Sequence, residues 1–126
     1  MAITTGLPAG VERMAQRELA QMAKRERNYA RAAAIWEQLA SARGASAAES
    51  AIEACEQLAI HFEHRARQPE RAAEWTETAL RQLRAATRLE PARARRLEAR
   101  LARRQQRLAR KGARLELGSS AREESA

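Results

Sequence analysis

The sequence predicts an all-α protein made of two helical hairpins and a basic, capping C-terminal helix. Three observations support this class. Good helix formers dominate the 126 residues, namely Ala, Arg, Glu, Leu and Gln. β-branched residues, which favour strands, are scarce. Apolar positions recur at steps of three and four along most of the chain, which is the period of an amphipathic helix. The length suits one domain with a modest core.

The first hairpin is predicted from two periodic segments separated by Asn28. Pro8 suits a first helical turn, and the helix runs to about Arg27. Its inward positions are Val11, Met14, Ala15, Leu19, Met22 and Ala23. The second helix covers 29–43, and Gly44 suits its C-cap. Its inward positions are Tyr29, Ala32, Ala33, Trp36, Leu39 and Ala40.

The second hairpin opens with a predicted capping box, in which Ser46 caps the backbone and Glu49 reaches back. Its helices cover 47–66 and, from Pro69, about 69–88. Their inward positions are Ala48, Ala51, Ile52, Cys55, Leu58, Ala59 and Phe62, then Ala72, Thr76, Ala79, Leu80 and Leu83. The predicted domains are the hairpins at 8–88, a basic amphipathic helix at 91–111 that starts with Pro91, and a disordered tail at 112–126.

The two hairpins repeat each other at an offset of 39 or 40 residues, which indicates a repeated two-helix unit. The repeat-packing positions are Leu19, Ala20, Ala32, Trp36 and Leu39, then Leu58, Ala59, Phe62, Ala72, Trp75, Ala79 and Leu80. Small residues let paired helices approach, and large residues fill the groove beside them. This pattern resembles a tetratricopeptide repeat. The second unit departs from it by one extra turn residue, and Ala66-Arg67-Gln68 stand where a small residue is usual.

A more specific resemblance rests on four segments. They are WEQLA (36–40), LAIHFEHR (58–65), ERAAEWTETAL (70–80) and RLEARLAR (96–103). Over about residues 10–111, the chain is similar to the C-terminal repeat region of bacterial ribonuclease-H-like, exonuclease-type proteins, in which a nuclease-like domain precedes the repeats. This chain carries neither that domain nor any Asp for its metal ligands, so the resemblance assigns no activity to a residue here. A fragment, a truncated gene product and a stand-alone repeat protein are the alternatives.

The net charge of +8 is concentrated in one segment. Residues 1–90 hold 13 Lys/Arg and 12 Glu, whereas residues 91–114 hold ten Lys/Arg and one Glu. Cationic side chains that recur at helical spacing are Arg93, Arg96, Arg100, Arg103, Arg107 and Arg110, with Lys111 beside them. They predict a capping helix with a solvated face or sequence-independent contacts to nucleic-acid phosphates. A partner helix or an anionic membrane surface is a third alternative.

No catalytic, metal or cofactor site is predicted. All sixteen acidic residues are Glu, and the lack of Asp argues against the Mg²⁺ sites of nucleases and phosphotransferases. His61 and His64 could supply two metal ligands, but no second Cys/His cluster accompanies them, so we expect one to pack and one to be solvated. Cys55 lies on an apolar stripe and is predicted to be a buried small hydrophobe. Trp36 and Trp75 are predicted core residues.

We therefore expect a non-catalytic protein–protein interaction module whose partner binds the concave face of the repeats. Nucleic-acid binding by the basic helix is the alternative. It is weakened because no aromatic residue follows Trp75 to stack on bases. Two repeats are fewer than such arrays usually need, so the fifth helix or a partner must complete the core. The N-terminus lacks a signal-peptide pattern and no apolar run could span a membrane, so a soluble cytoplasmic protein is expected.

Overall fold

The computed structural model describes the backbone of residues 9–42 and 47–125, and the side chains of 10–42 and 47–114. These ranges contain five α-helices and no strand, so the all-α class is confirmed. The helices are α1 (Ala9–Arg25), α2 (Tyr29–Ala40), α3 (Ala48–His64), α4 (Pro69–Ala85) and α5 (Pro91–Ser125). Each helix packs against the next one along the chain, and short turns join α1 to α2 and α3 to α4 as two hairpins. No helix in the described part of the chain is long and apolar enough to cross a membrane.

The first four helices end two or three residues earlier than predicted, because turn hydrogen bonds take up their last carbonyls. Asn28 caps α2, and its side chain accepts from the Arg31 N–H at 3.3 Å. Three residues with predicted capping roles, Pro8, Gly44 and Ser46, lie outside the described residues.

α5 is longer than the sequence predicts. It does not end at Lys111, and the predicted disordered tail at 112–126 is corrected to helix as far as Ser125; Ala126 lies outside the described residues. Gly112 costs a helix only about 1 kcal/mol relative to Ala. No Pro follows it, so the Ala, Leu, Glu and Arg residues beyond it can continue the helix.

The first hairpin turn is a Schellman motif in which an arginine occupies the left-handed position. Arg27 has φ of 61°. Its N–H donates to the Lys24 carbonyl at 3.0 Å, and the Asn28 N–H donates to the Ala23 carbonyl at 2.8 Å. These hydrogen bonds satisfy two carbonyls at the end of α1 and reverse the chain.

The second hairpin turn also reverses the chain through a left-handed arginine, but it contains one more residue. Arg67 has φ of 53°. The Gln68 N–H donates to the carbonyl of Phe62, six residues back, at 2.7 Å. The turn between α3 and α4 has four residues and the turn between α1 and α2 has three, so the extra residue predicted here is confirmed.

The core is built largely from small side chains. Its buried members include Ala20, Ala32, Trp36, Leu39, Ile52, Cys55, Leu58, Ala59, Phe62, Ala72, Ala79, Leu80, Leu83, Leu101 and Leu108. Trp75 is partly buried and packs against this cluster. The guanidinium of Arg71 lies 4.4 Å from the Phe62 ring centre and covers it at the second turn. Leu101 and Leu108 come from α5, so the fifth helix helps to complete the core.

The predicted inward face of α1 is the main correction within the hairpins. Val11, Met14, Leu19 and Met22 are all exposed, and Leu19 keeps 46% of its surface in contact with solvent. Ala20 and Ala23 are the buried residues of this helix. The periodicity of α1 is real, but its large apolar residues lie on a side that no other described helix covers.

Candidate functional site

Three rungs of ion pairs join α3 to α5. Glutamates recur every seven residues on α3, and arginines recur with the same spacing on α5. The rungs are Glu49–Arg93, Glu56–Arg100 and Glu63–Arg107. Partners in each rung are 44 residues apart, so the two helices run parallel in a single register. We call these six residues the α3–α5 seam.

The middle rung is a bidentate pair. Arg100 donates from Nε and Nη2 to the two oxygens of Glu56, at 2.6 and 2.7 Å. These hydrogen bonds raise the pKa of Arg100 further, against the opposing effect of partial burial. Because Glu56 is nearly buried, this rung holds its geometry better than a surface ion pair would.

The last rung has one carboxylate and three cations. The Glu63 side chain has no exposed surface. It accepts from Arg104 Nη1 at 2.7 Å, from Arg107 Nη2 and Nε at 2.8 and 3.0 Å, and from Lys111 Nζ at 2.7 Å. Hydrogen bonding by Arg107 and then Lys111 outweighs the opposing effect of burial and lowers the pKa of Glu63 to about 2.

The predicted basic face of α5 is therefore split into two rows. The first row, which contacts the glutamates of α3, consists of Arg93, Arg100, Arg107 and Lys111. The second row consists of Arg96, Arg103 and Arg110; all three are exposed, with no carboxylate partner among the described side chains. Residues three apart on a helix differ by about 60° in direction. Six of the seven predicted cations are exposed and Lys111 is partly exposed, but the four of the first row are paired with glutamates.

Arg104 is the seam contact that the sequence analysis missed. Its side chain is largely buried, and it reaches Glu63 from the side of the first row that faces away from the second row. The seven-residue spacing of Glu49, Glu56 and Glu63 matches that of Arg93, Arg100 and Arg107, so it could have found the three rungs, but Arg104 lies off that series. Two helices with complementary charges at equal spacing are expected to pair along their length.

A groove of about 500 Å³ runs over the acidic side of α3, between α1 and α5. Its lining residues are Arg17, Glu49, Ser50, Ile52, Glu53, Glu56, Gln57, Arg93, Leu97 and Arg100. We call it the α3 groove. Arg17 Nε donates to Glu53 at 2.7 Å on the α1 side, and the first two seam rungs lie on the α5 side. The groove thus offers both signs of charge, with the partly buried Leu97 as apolar surface between them.

A smaller cavity of about 260 Å³ lies between α3 and the first hairpin. Its lining residues are Lys24, Tyr29, Ala32, Ala33, Trp36, Gln57, Ile60, His61, His64 and Arg65. The Arg65 guanidinium stacks 4.1 Å from the Tyr29 ring centre. Burial lowers the pKa of His61, against an opposing contribution from Glu37, so this imidazole is mainly neutral near pH 7.

The packing of His61, the exposure of His64 and the burial of Cys55 are as predicted. The His61 ring meets the Phe62 ring edge-on at 5.0 Å, and His64 is exposed. No group of three or more His, Cys, Asp or Glu side chains suited to a metal ion occurs among the described residues. Cys55 is fully buried, and desolvation raises the pKa of its thiol to about 11, so it is an inert core residue. Trp36 is buried in the core, as predicted.

Comparison with known proteins returns no relative. No family model, curated protein or solved structure matches this chain. The resemblance to tetratricopeptide repeats and to the repeat region of ribonuclease-H-like proteins stays a prediction from the residues.

Proposed function

We propose that the protein is a non-catalytic interaction module that binds a peptide segment of a protein partner in the α3 groove. The observation that carries this proposal is the groove itself, which has about 500 Å³ of space and charges of both signs on its walls. Backbone and side-chain groups of a peptide could meet Arg and Glu there while an apolar residue contacts Leu97.

The helical scaffold supports this role. Three roughly parallel helices contribute to the groove, and ion pairs between α1, α3 and α5 hold their side chains in place. A preorganised surface loses less conformational entropy when a partner binds. The single buried cysteine suits a soluble protein in a reducing, cytoplasmic setting. The sequence resemblance suggests the setting of this module, which would be the accessory region of a ribonuclease-H-like protein.

The test is selection of peptides from a displayed random library against the full chain. The affinity of each selected peptide is then measured by fluorescence anisotropy for the wild type and two variants. Ser50→Trp fills the α3 groove, and Glu77→Trp adds the same ring at an exposed position of α4. We expect Ser50→Trp to weaken binding about tenfold or more, because it occupies the peptide's space.

The matched variant decides whether the groove is the site. Glu77→Trp should change the affinity less than about twofold, since surface changes outside an interface are nearly neutral. Selected peptides that bind Ser50→Trp as tightly as the wild type would place the interaction elsewhere and remove the support for this proposal.

A second candidate function is sequence-independent nucleic-acid binding by α5. It is favoured by Arg96, Arg103 and Arg110, which keep no carboxylate partner among the described side chains and lie on one line of the helix. These three arginines differ from the other four cations of the predicted stripe because the glutamates of α3 do not engage them. The segment lacks aromatic residues, so contacts would be to the backbone of the nucleic acid.

A salt series tests this second candidate. Anisotropy with a short DNA duplex would compare the wild type with a variant in which Arg96, Arg103 and Arg110 are changed to Gln. Each lost phosphate contact should flatten the log–log salt slope by about 0.9. A control variant removes the same charge from exposed arginines elsewhere, at positions 25, 31 and 88. Equal slopes in the two variants would reduce the effect to net charge and exclude a site on α5.

A further inference from the structure

Glu63 is surrounded by more positive charge than it can neutralise. Arg104, Arg107 and Lys111 all donate to its two oxygens. His64 Nε2 lies 3.5 Å from the same carboxylate. One negative charge therefore meets three permanent positive charges, which leaves an excess of +2 without counting His64. The first two rungs of the seam are one-to-one pairs, so this excess belongs to the last rung alone.

The cluster also keeps unused hydrogen-bond donors. Arg104 Nε is buried and has no acceptor among the described residues. A buried N–H without an acceptor destabilises a protein, so such a group indicates a missing partner. The Lys111 ammonium has three N–H donors and gives one of them to Glu63. Both the charge and the donors of this cluster exceed what a single carboxylate can use.

A ligand could reach the cluster from solvent. The side chains of Lys111 and Arg107 are 41% and 48% exposed, although the carboxylate between them is buried. Arg110 and Arg114 are exposed on the same stretch of α5 and add to the positive potential. The cluster is therefore a half-open cationic site at the end of the α3–α5 seam.

We propose that Arg104, Arg107 and Lys111, with His64 beside them, bind the phosphoryl group of a small ligand. A phosphoryl dianion matches the excess charge of the cluster. Its tetrahedral oxygens can accept from guanidinium forks and from an ammonium group at the same time. The ligand joins Glu63 as a second anion and does not displace it, because Glu63 still holds the cations in place. Free phosphate and a phosphate ester share this chemistry.

The site does not depend on the peptide proposed for the α3 groove. Its residues lie at positions 63–64 of α3 and 104–111 of α5, whereas the groove is lined by positions 49–57 of α3 and 93–100 of α5. A failure of peptide selection would therefore leave phosphoryl binding intact, and the reverse also holds.

The test is a titration of the ¹⁵N-labelled full chain followed through its arginine Nε–H resonances. The titrants are orthophosphate and a nucleoside monophosphate, at constant ionic strength in chloride. We expect saturable shifts of the Arg104 and Arg107 resonances with both titrants and none with chloride alone. Equal affinities would identify the phosphoryl group as the whole determinant, and tighter nucleotide binding would identify a phosphate ester as the ligand. Unsaturable shifts, or none, would overturn the proposal.

A matched pair of variants separates a site from general charge. Lys111→Gln removes one cation of the cluster at a partly exposed position and should lower phosphate affinity about tenfold. Lys111→Arg keeps the charge and should retain most of the affinity. Arg96→Gln removes the same charge about 22 Å away along the helix and should change affinity less than twofold. Equal losses in Lys111→Gln and Arg96→Gln would show attraction to net charge only, which would also overturn the proposal.

Discussion

The two hairpins carry the same packing pattern but bury it to different extents. Leu58 of α3 has no exposed surface, whereas Leu19, 39 residues earlier at the equivalent position of α1, is 46% exposed. Ala54 and Ala15 form a second such pair, buried in α3 and exposed in α1. Ala59 and Ala20, by contrast, are fully buried in both hairpins.

The difference comes from the neighbours of each helix. α3 packs against α2 and α4, and its seam contacts α5. Leu58 is on the side of α3 that carries His61, which lines a cavity together with Trp36 of α2. The same side of α1 has no described helix beside it. A repeat pattern thus determines which side of a helix can be buried, and the place of the repeat in the array determines whether it is.

The strongest test of this comparison is a pair of leucine truncations. Leu58→Ala should reduce the free energy of unfolding by about 2–5 kcal/mol, because it leaves a cavity in a closed core. Leu19→Ala should cost about 0.5 kcal/mol or less, because half of that side chain already meets solvent. Urea denaturation followed by circular dichroism measures both. Equal losses would mean that α1 is covered in solution, which the comparison does not allow.

The second test compares two of the polar contacts of α3, the Glu63 cluster and the Arg17–Glu53 pair. Glu63→Gln should cost about 2 kcal/mol, because it leaves partly buried cations without their carboxylate. Glu53→Gln should cost about 0–1 kcal/mol, since the Arg17 and Glu53 side chains are 46% and 33% exposed. Both variants keep the shape of the side chain, so urea midpoints compare the charges alone. A larger loss of stability for Glu53→Gln than for Glu63→Gln would mean that the Arg17–Glu53 pair, and not the Glu63 cluster, is the main polar contact.

The pH dependence of stability sharpens the same contrast. The pKa of Glu63 falls from 4.5 to about 2 in the folded protein, mainly through the hydrogen bond from Arg107. A depressed folded-state pKa gives stability that is present above pH 4.5 and is lost as pH falls from about 4.5 to about 2. The difference in urea midpoint between wild type and Glu63→Gln should therefore shrink through this window. A difference that stays constant down to pH 2 would contradict the ionised state of Glu63.

The smallest expected effect concerns the two hairpin turns. Arg27→Gly and Arg67→Gly should each stabilise the fold by about 0.5 kcal/mol, since a left-handed residue with a Cβ costs about 1–2 kcal/mol and glycine's greater freedom when unfolded offsets part of that gain. Thermal unfolding of both variants, with Arg27→Ala and Arg67→Ala as controls, measures the gain. The alanine variants should show no stabilisation, because they keep the Cβ. Stabilisation by alanine as well would point to removal of charge instead of relief of the backbone.

Local sequence patterns predicted the helices and the longer second turn, and most of the core. They did so because periodicity, Pro and Asn act over a few residues. The exposure of Leu19 could not be predicted, because it depends on a neighbour that the local pattern does not contain. The end of α5 was misplaced because Gly112 was given too much weight as a helix terminator.

The candidate site was only half predictable. Composition identifies the basic helix, but composition carries no information on which helix packs beside it. Which of its arginines remain available depends on Glu49, Glu56 and Glu63, 44 residues earlier, and that pairing follows only from the docking of α5 on α3. Long-range charge matching is weakly specified by sequence, because many surface arrangements have similar energies.

The equal spacing of charges along the α3–α5 seam has a consequence for alignment. A shift of α5 by seven residues would bring Arg100 opposite Glu49 and Arg107 opposite Glu56, so the ion pairs alone would accept a second alignment. The apolar residues of α5 would not accept this second alignment. The shift would push Leu101 into the space of the smaller Ala94 and remove Leu97 from the core that it packs against. The apolar positions 94 and 97 therefore determine the alignment of α5. The ion pairs stabilise the alignment that these two positions select.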